Sequence, residues 1–186
     1  MDRREAVQYI TLLLGGTIVG ANAFLTGCKS ETGKKREFTK EDVAYLDEIS
    51  DTILPDTKTP GAKAAGVGAF IPIMVNDCYE EKDQDSFMEG MDKINKLSED
   101  AYKNNFMKIT PEQRHELLVK LDQEQKEYTK TKKADDPAHY FRMMKELSLY
   151  GYFTSQPGLT KAKRYMPVPG KYIGCVEYHK GDKAIA

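Results

Sequence analysis

Three cysteines, three histidines and a few adjacent acids are the residues of this 186-residue chain whose types could do chemistry. Cys28 is the most informative of them. It closes L-T-G-C (25–28), which follows an uncharged, mostly apolar run from Val7 to Leu25 and the adjacent pair Arg3-Arg4. A cationic start, an apolar middle and small residues before a cut site make an export signal. L-T-G-C resembles a lipobox, in which the cysteine is lipidated and becomes the first mature residue. The other reading is a buried apolar cysteine that follows a glycine. The apolar run is broken by Gly15, Gly16, Gly20 and Asn22. It stands at the short end of the roughly 17–25 residues that a spanning helix needs, so cleavage is expected rather than a permanent span. Several acyl chains on Cys28 would anchor the chain stably. The polar run K-S-E-T-G-K-K-R-E (29–37) then reads as a solvated tether. Arg3-Arg4 also hints at twin-arginine export, which carries folded cargo, the other reading being an ordinary positively charged start. Glu5-Ala6-Val7 lacks the aromatic or leucine usual after that pair.

The remaining candidates offer little catalytic chemistry. Cys78 and Cys175 in an exported chain invite a disulfide. It would close a loop of 97 residues, worth about 4–5 kcal/mol in the chain-entropy model. Two buried free thiols are the alternative. His115, His139 and His179 form no H-x-x-x-H pair, and a lone histidine at a helix start or in a tail caps or is solvated more often than it binds metal. Gly61 to Gly68, G-A-K-A-A-G-V-G, has the wrong spacing for a phosphate loop and reads as a turn. No dinucleotide fingerprint, C-x-x-C-H haem site or G-x-S-x-G elbow occurs. Glu80-Glu81 and Asp135-Asp136 fall at expected helix boundaries, where acids complement the dipole or cap a turn. A net charge of −1 argues against a nucleic-acid partner. The expectation is a chain with no catalytic, cofactor-binding or metal site of its own, serving a partner that carries the chemistry.

The elements that would position these residues are helices. We expect a signal at 1–27, a tether at 28–37 and one helical domain at 38–186. The 159 residues from Cys28 onward can bury roughly 68–70% of their unfolded surface. Thr39 with Asp42 signals a helix start, followed by Val43, Leu46, Ile49 and Ile53, with Pro55 as the stop. A second helix is expected over 69–79, with Phe70, Ile71, Met74, Val75 and Cys78 on one face. A third is expected over 84–104, carrying Phe87, Met91, Ile94 and Ala101. Thr110-Pro111-Glu112-Gln113 opens a fourth, with Leu117, Leu118, Leu121 and Tyr128. Asp136-Pro137 opens a fifth, with Phe141, Met144, Leu147 and Gly151 inward. The class is therefore all-α, about five helices with an irregular C-terminal segment.

Several blocks, in order, carry a family resemblance: D-E-I-S-D-T-I-L-P-D-T-K-T-P-G-A-K-A-A-G-V-G-A-F (47–70), N-D-C-Y (76–79), K-E-L-S-L-Y-G-Y-F-T-S (145–155) and Y-M-P-V-P-G-K-Y-I-G-C-V (165–176). The chain resembles the gluconate 2-dehydrogenase subunit 3 family, small subunits of membrane-associated flavin sugar dehydrogenases. The resemblance implies a non-catalytic subunit that pairs with a large FAD-binding subunit of the glucose-methanol-choline (GMC) oxidoreductase type. Electrons would pass to a cytochrome c subunit carrying haem, or to the respiratory chain. The small subunit would supply the export signal for both chains, at the periplasmic or cell-envelope face of a membrane. Tyr152, Phe153, Tyr165, Met166, Tyr172 and Ile173, apolar groups near prolines and glycines, are the expected partner anchors; packing onto the chain's own helices is the other reading. A stand-alone envelope lipoprotein that binds a ligand or scaffolds other proteins is the alternative function.

Overall fold

The computed structural model describes residues 37–185, apart from 169 and 172. The export residues Arg3 and Arg4, the lipidation candidate Cys28 and the expected anchor Tyr172 lie outside the described residues.

Five α-helices make the body: α1 Lys40–Ile53, α2 Val67–Cys78, α3 Glu81–Tyr102, α4 Pro111–Thr131 and α5 Tyr140–Thr154. A 3₁₀ turn, Phe106–Lys108, joins α3 to α4, and a π-helical turn, Gly158–Ala162, follows α5. Among the described residues there is no strand, only a single parallel bridge between Arg164 and Ile185.

The starts of α1 and α4 follow their sequence signals. Thr39 accepts from Asp42 N while the Asp42 carboxylate accepts from Thr39 N, and Thr110 and Gln113 do the same. The fifth helix starts later than expected. Asp136 instead closes its own turn, its carboxylate accepting from Lys133 N at 2.9 Å. His139 then caps α5, its Nδ1 accepting from Phe141 N at 3.2 Å. The second helix starts earlier, at Val67, because Gly66 adopts a left-handed conformation (φ 71°) and Asp47 Oδ1 accepts from Gly68 N at 2.8 Å.

The core is built around α5, which packs against all four other helices. Its buried residues include Tyr140, Phe141, Met144, Leu147 and Tyr152, packed with Leu46, Ile49, Ile71, Phe87, Ile94 and Leu121. The third helix approaches closely at Gly90, where a Cβ would stand 2.4 Å from Tyr140 Cβ. Its inward stripe continues to Ser98, and Ala101 faces solvent, contrary to expectation. The buried core hydroxyls of Tyr45, Ser50, Ser98 and Ser148 are paired, whereas the buried Asn105 Oδ1 has no hydrogen-bond partner among the described residues. Ser50 and Ser148 hydroxyls meet at 2.9 Å, and Tyr45 OH donates to Met91 O at 3.3 Å. Each such pair avoids the cost of a buried, unpartnered donor.

Candidate partner-docking surface

The body leaves one helix face without charge. From Val67 to Asn76, α2 carries no ionisable residue. Val67, Gly68, Ile71 and Val75 point into the core, and Ala69 and Ile73 point outward, Ile73 at 58% exposure. Cys78, expected on the inner face, is exposed at the C-terminus of the helix. Phe70 lies between helices, its ring 5.9 Å from that of Tyr150 on α5. Gly151 makes room for it, since a Cβ there would sit 2.7 Å from Phe70 Cδ1. Ile73, Phe70 and Tyr150 thus form a continuous apolar surface across α2 and α5.

The loop between α1 and α2 borders this surface and is pinned to the body. Ala62 N donates to Leu54 O at 2.9 Å, and Tyr152 OH donates to Pro60 O at 2.7 Å. Lys63 pairs with Glu48 at 2.8 Å, and Arg114 pairs with the other oxygen of the same carboxylate. Burial pushes Glu48 up, but the hydrogen bond and charge of Lys63 and the charge of Arg114 outweigh it, so the carboxyl lies below its usual range.

Beyond α5 the chain runs into a C-terminal arm. Tyr152, an expected partner anchor, is buried in the chain's own core. Phe153 is half-buried, with Lys163 Nζ 5.0 Å above its ring. Gly158 is required where the chain folds back, because a Cβ would lie 1.9 Å from Tyr152 O. Arg164 N then donates to Ala184 O at 2.8 Å, and Lys183 Nζ to Lys161 O at 2.5 Å. These two bonds close residues 165–183 into a loop around an open cleft of about 770 Å³. Along the arm Tyr165, Val168, Ile173, Val176, Tyr178 and Ile185 are exposed, Val168 at 81%; Met166 is half-buried. Cys78 and Cys175 are both free and exposed, so neither the disulfide considered from the sequence nor the buried-thiol alternative is present.

The six expected anchors therefore divide. Tyr152 belongs to the core, Phe153 bridges core and arm, and Tyr165 and Ile173 are open to solvent. Ile73, Tyr150, Val168, Val176, Tyr178 and Ile185 were not singled out from the sequence. One signal was available for Tyr150: with Leu147, Leu149, Tyr150, Tyr152 and Phe153 so close together, α5 holds more apolar residues than one inward stripe can bury.

Of the three histidines, His139 has a structural role, and His115 and His179 are exposed. Burial pushes the His139 imidazole below its ordinary value, against the pull of Glu124, whose Oε1 lies 3.6 Å from Nε2. Nδ1 is the acceptor of the α5 cap, so the ring proton sits on Nε2. Tyr140 stacks on the same imidazole at 4.3 Å, and burial pushes its phenol up to about 12. Among the described residues no cluster of His, Cys, Asp or Glu is arranged to hold a metal ion, and no helix is long and apolar enough to cross a membrane.

The chain is thus an all-α body with an uncharged helix face and a largely exposed C-terminal arm. The gluconate 2-dehydrogenase subunit 3 family matches residues 40–170, and the chain belongs to that family of accessory subunits of multi-subunit sugar dehydrogenases. No curated protein and no solved structure matches the chain.

Proposed function

We propose that this chain is the non-catalytic small subunit of a membrane-associated, FAD-dependent sugar dehydrogenase. Its partner is a GMC-type large subunit that holds the flavin and oxidises the CH–OH group of a sugar or sugar acid. A cytochrome c subunit with haem, or the respiratory chain, takes the electrons. The match over residues 40–170 carries this reading. The exposed apolar groups of α2, α5 and the arm support it, because a subunit that works alone gains nothing from leaving them in water. Arg3 and Arg4, the apolar run and Cys28 support export and lipid tethering at the periplasmic or cell-envelope face. In this reading the folded small subunit takes the flavin-loaded large one with it.

Co-purification tests it. The tagged full chain, extracted gently from native membranes, is expected to bring down a larger flavin-containing polypeptide and to partition with lipid. Cys28→Ala is expected to release the pair from the membrane while leaving it assembled. Recovery of the tagged chain alone, with sugar oxidation remaining in a separate fraction, would contradict the proposal.

A further inference from the structure

Residues 37–157 carry 16 Lys and Arg against 24 Asp and Glu, whereas residues 158–185 carry six against two. The body is thus acidic by eight charges and the arm basic by four. The pairing of these charges differs as well. Among the described residues, nine of the sixteen body cations are ion-paired, as in Lys120–Glu116, Lys126–Asp122 and Arg142–Glu146. In the arm only His179 approaches an acid; its six Lys and Arg pair with none among the described residues. The arm therefore holds uncompensated positive charge beside exposed Tyr165, Ile173, Val176 and Tyr178.

Unpaired cations interleaved with exposed apolar side chains mark a surface that waits for an acidic and apolar counterpart. Apolar anchors supply affinity when buried, and the cations steer encounter and set orientation. The acidic body repels such a counterpart, so the approach is directed to the arm. We propose that the arm, residues 161–185, is the electrostatically steered docking element for the large subunit, which receives it in an acid-rimmed apolar groove. This rests on the subunit reading above and adds the site of contact and the charge of the partner's face.

The experiment compares two charge-matched variants of the full chain in their association with the co-purified large subunit, followed by biolayer interferometry at several salt concentrations. Arg164→Gln, Lys171→Gln and Lys180→Gln together remove three arm charges. Lys40→Gln, Lys58→Gln and Lys108→Gln remove three exposed body charges. At low salt the arm variant is expected to associate at least about tenfold more slowly, with the deficit shrinking as salt screens the field, and the body variant to match wild type. Ile173→Asp with Val176→Asp is expected to speed dissociation. Equal slowing by both triple variants, or none by the arm variant while the complex still forms, would overturn the docking site but not the subunit reading. No complex with wild type would overturn both. Wild-type binding to phosphatidylglycerol vesicles, with complex formation indifferent to the arm variants, would assign the arm to lipid and overturn the inference.

Discussion

In the helical body, hydroxyls meet hydroxyls, lysines meet acids one turn away, and every helix buries a face against α5. In the C-terminal arm one backbone bond, Arg164 N to Ala184 O, and one bond from the Lys183 side chain to Lys161 O close the chain on itself, and most side chains are exposed. The family match covers the whole body and ends at residue 170, inside the arm. Most of the body's apolar residues are buried by the chain itself, Ile73 and Tyr150 apart; the arm's are mostly left exposed. A subunit needs both kinds of region, one to fold unaided and one to be completed by assembly.

Core substitutions should break this contrast most strongly. Phe141→Ala is expected to cost about 3–5 kcal/mol in denaturant unfolding, by removing a ring buried where α5 meets its neighbours. Asp122→Asn comes next. Burial raises this carboxyl, but hydrogen bonds from Lys126 at 2.7 Å and Lys145 at 2.5 Å hold it at about 2. A depressed folded value means that the stabilisation is complete above the ordinary pKa of 3.8 and fades as pH falls toward 2. The substitution is expected to cost about 1–2 kcal/mol at pH 7 and progressively less in acid.

His139→Ala should cost about 1 kcal/mol through loss of the α5 cap. Because burial lowers the imidazole's folded value, neutral His139 favours the fold above about pH 6.5, and that contribution falls away as pH drops below it. His139→Asn, which keeps an acceptor and does not titrate, is expected to flatten wild type's stability loss between pH 7 and 5. A wild type no more acid-sensitive than this variant would show that the imidazole matters only as a spacer. The smallest effect belongs to the arm. Ile173→Ala is expected to shift stability by no more than about 0.5 kcal/mol; a loss near that of Phe141→Ala would erase the distinction between the regions.

The body was largely legible in the sequence because local rules decide it. The boxes at Thr39 and Thr110 and the periodic Leu46, Ile49, Leu117 and Leu121 act over one or two turns. The misjudged boundaries, at Val67 and Tyr140, are set by partners that sequence spacing does not reveal. Asp47 reaches Gly68 across 21 residues, and Asp136 is drawn into a turn with Lys133. The candidate surface was legible only in part. Composition pointed to Tyr165 and Ile173, but it could not separate them from Tyr152, whose hydroxyl finds Pro60 92 residues away. Nor could it reveal Ile73 beside Tyr150, since that surface exists only once α2 lies against α5.

The central claim is that the redox chemistry belongs to another polypeptide, and dye-linked sugar oxidation with a flavin absorption spectrum tests it most directly. The isolated full chain is expected to be colourless and inert toward gluconate, glucose and fructose, with colour and turnover appearing only in the complex with the large subunit. A yellow isolated chain that reduces the dye with any of these sugars would contradict it.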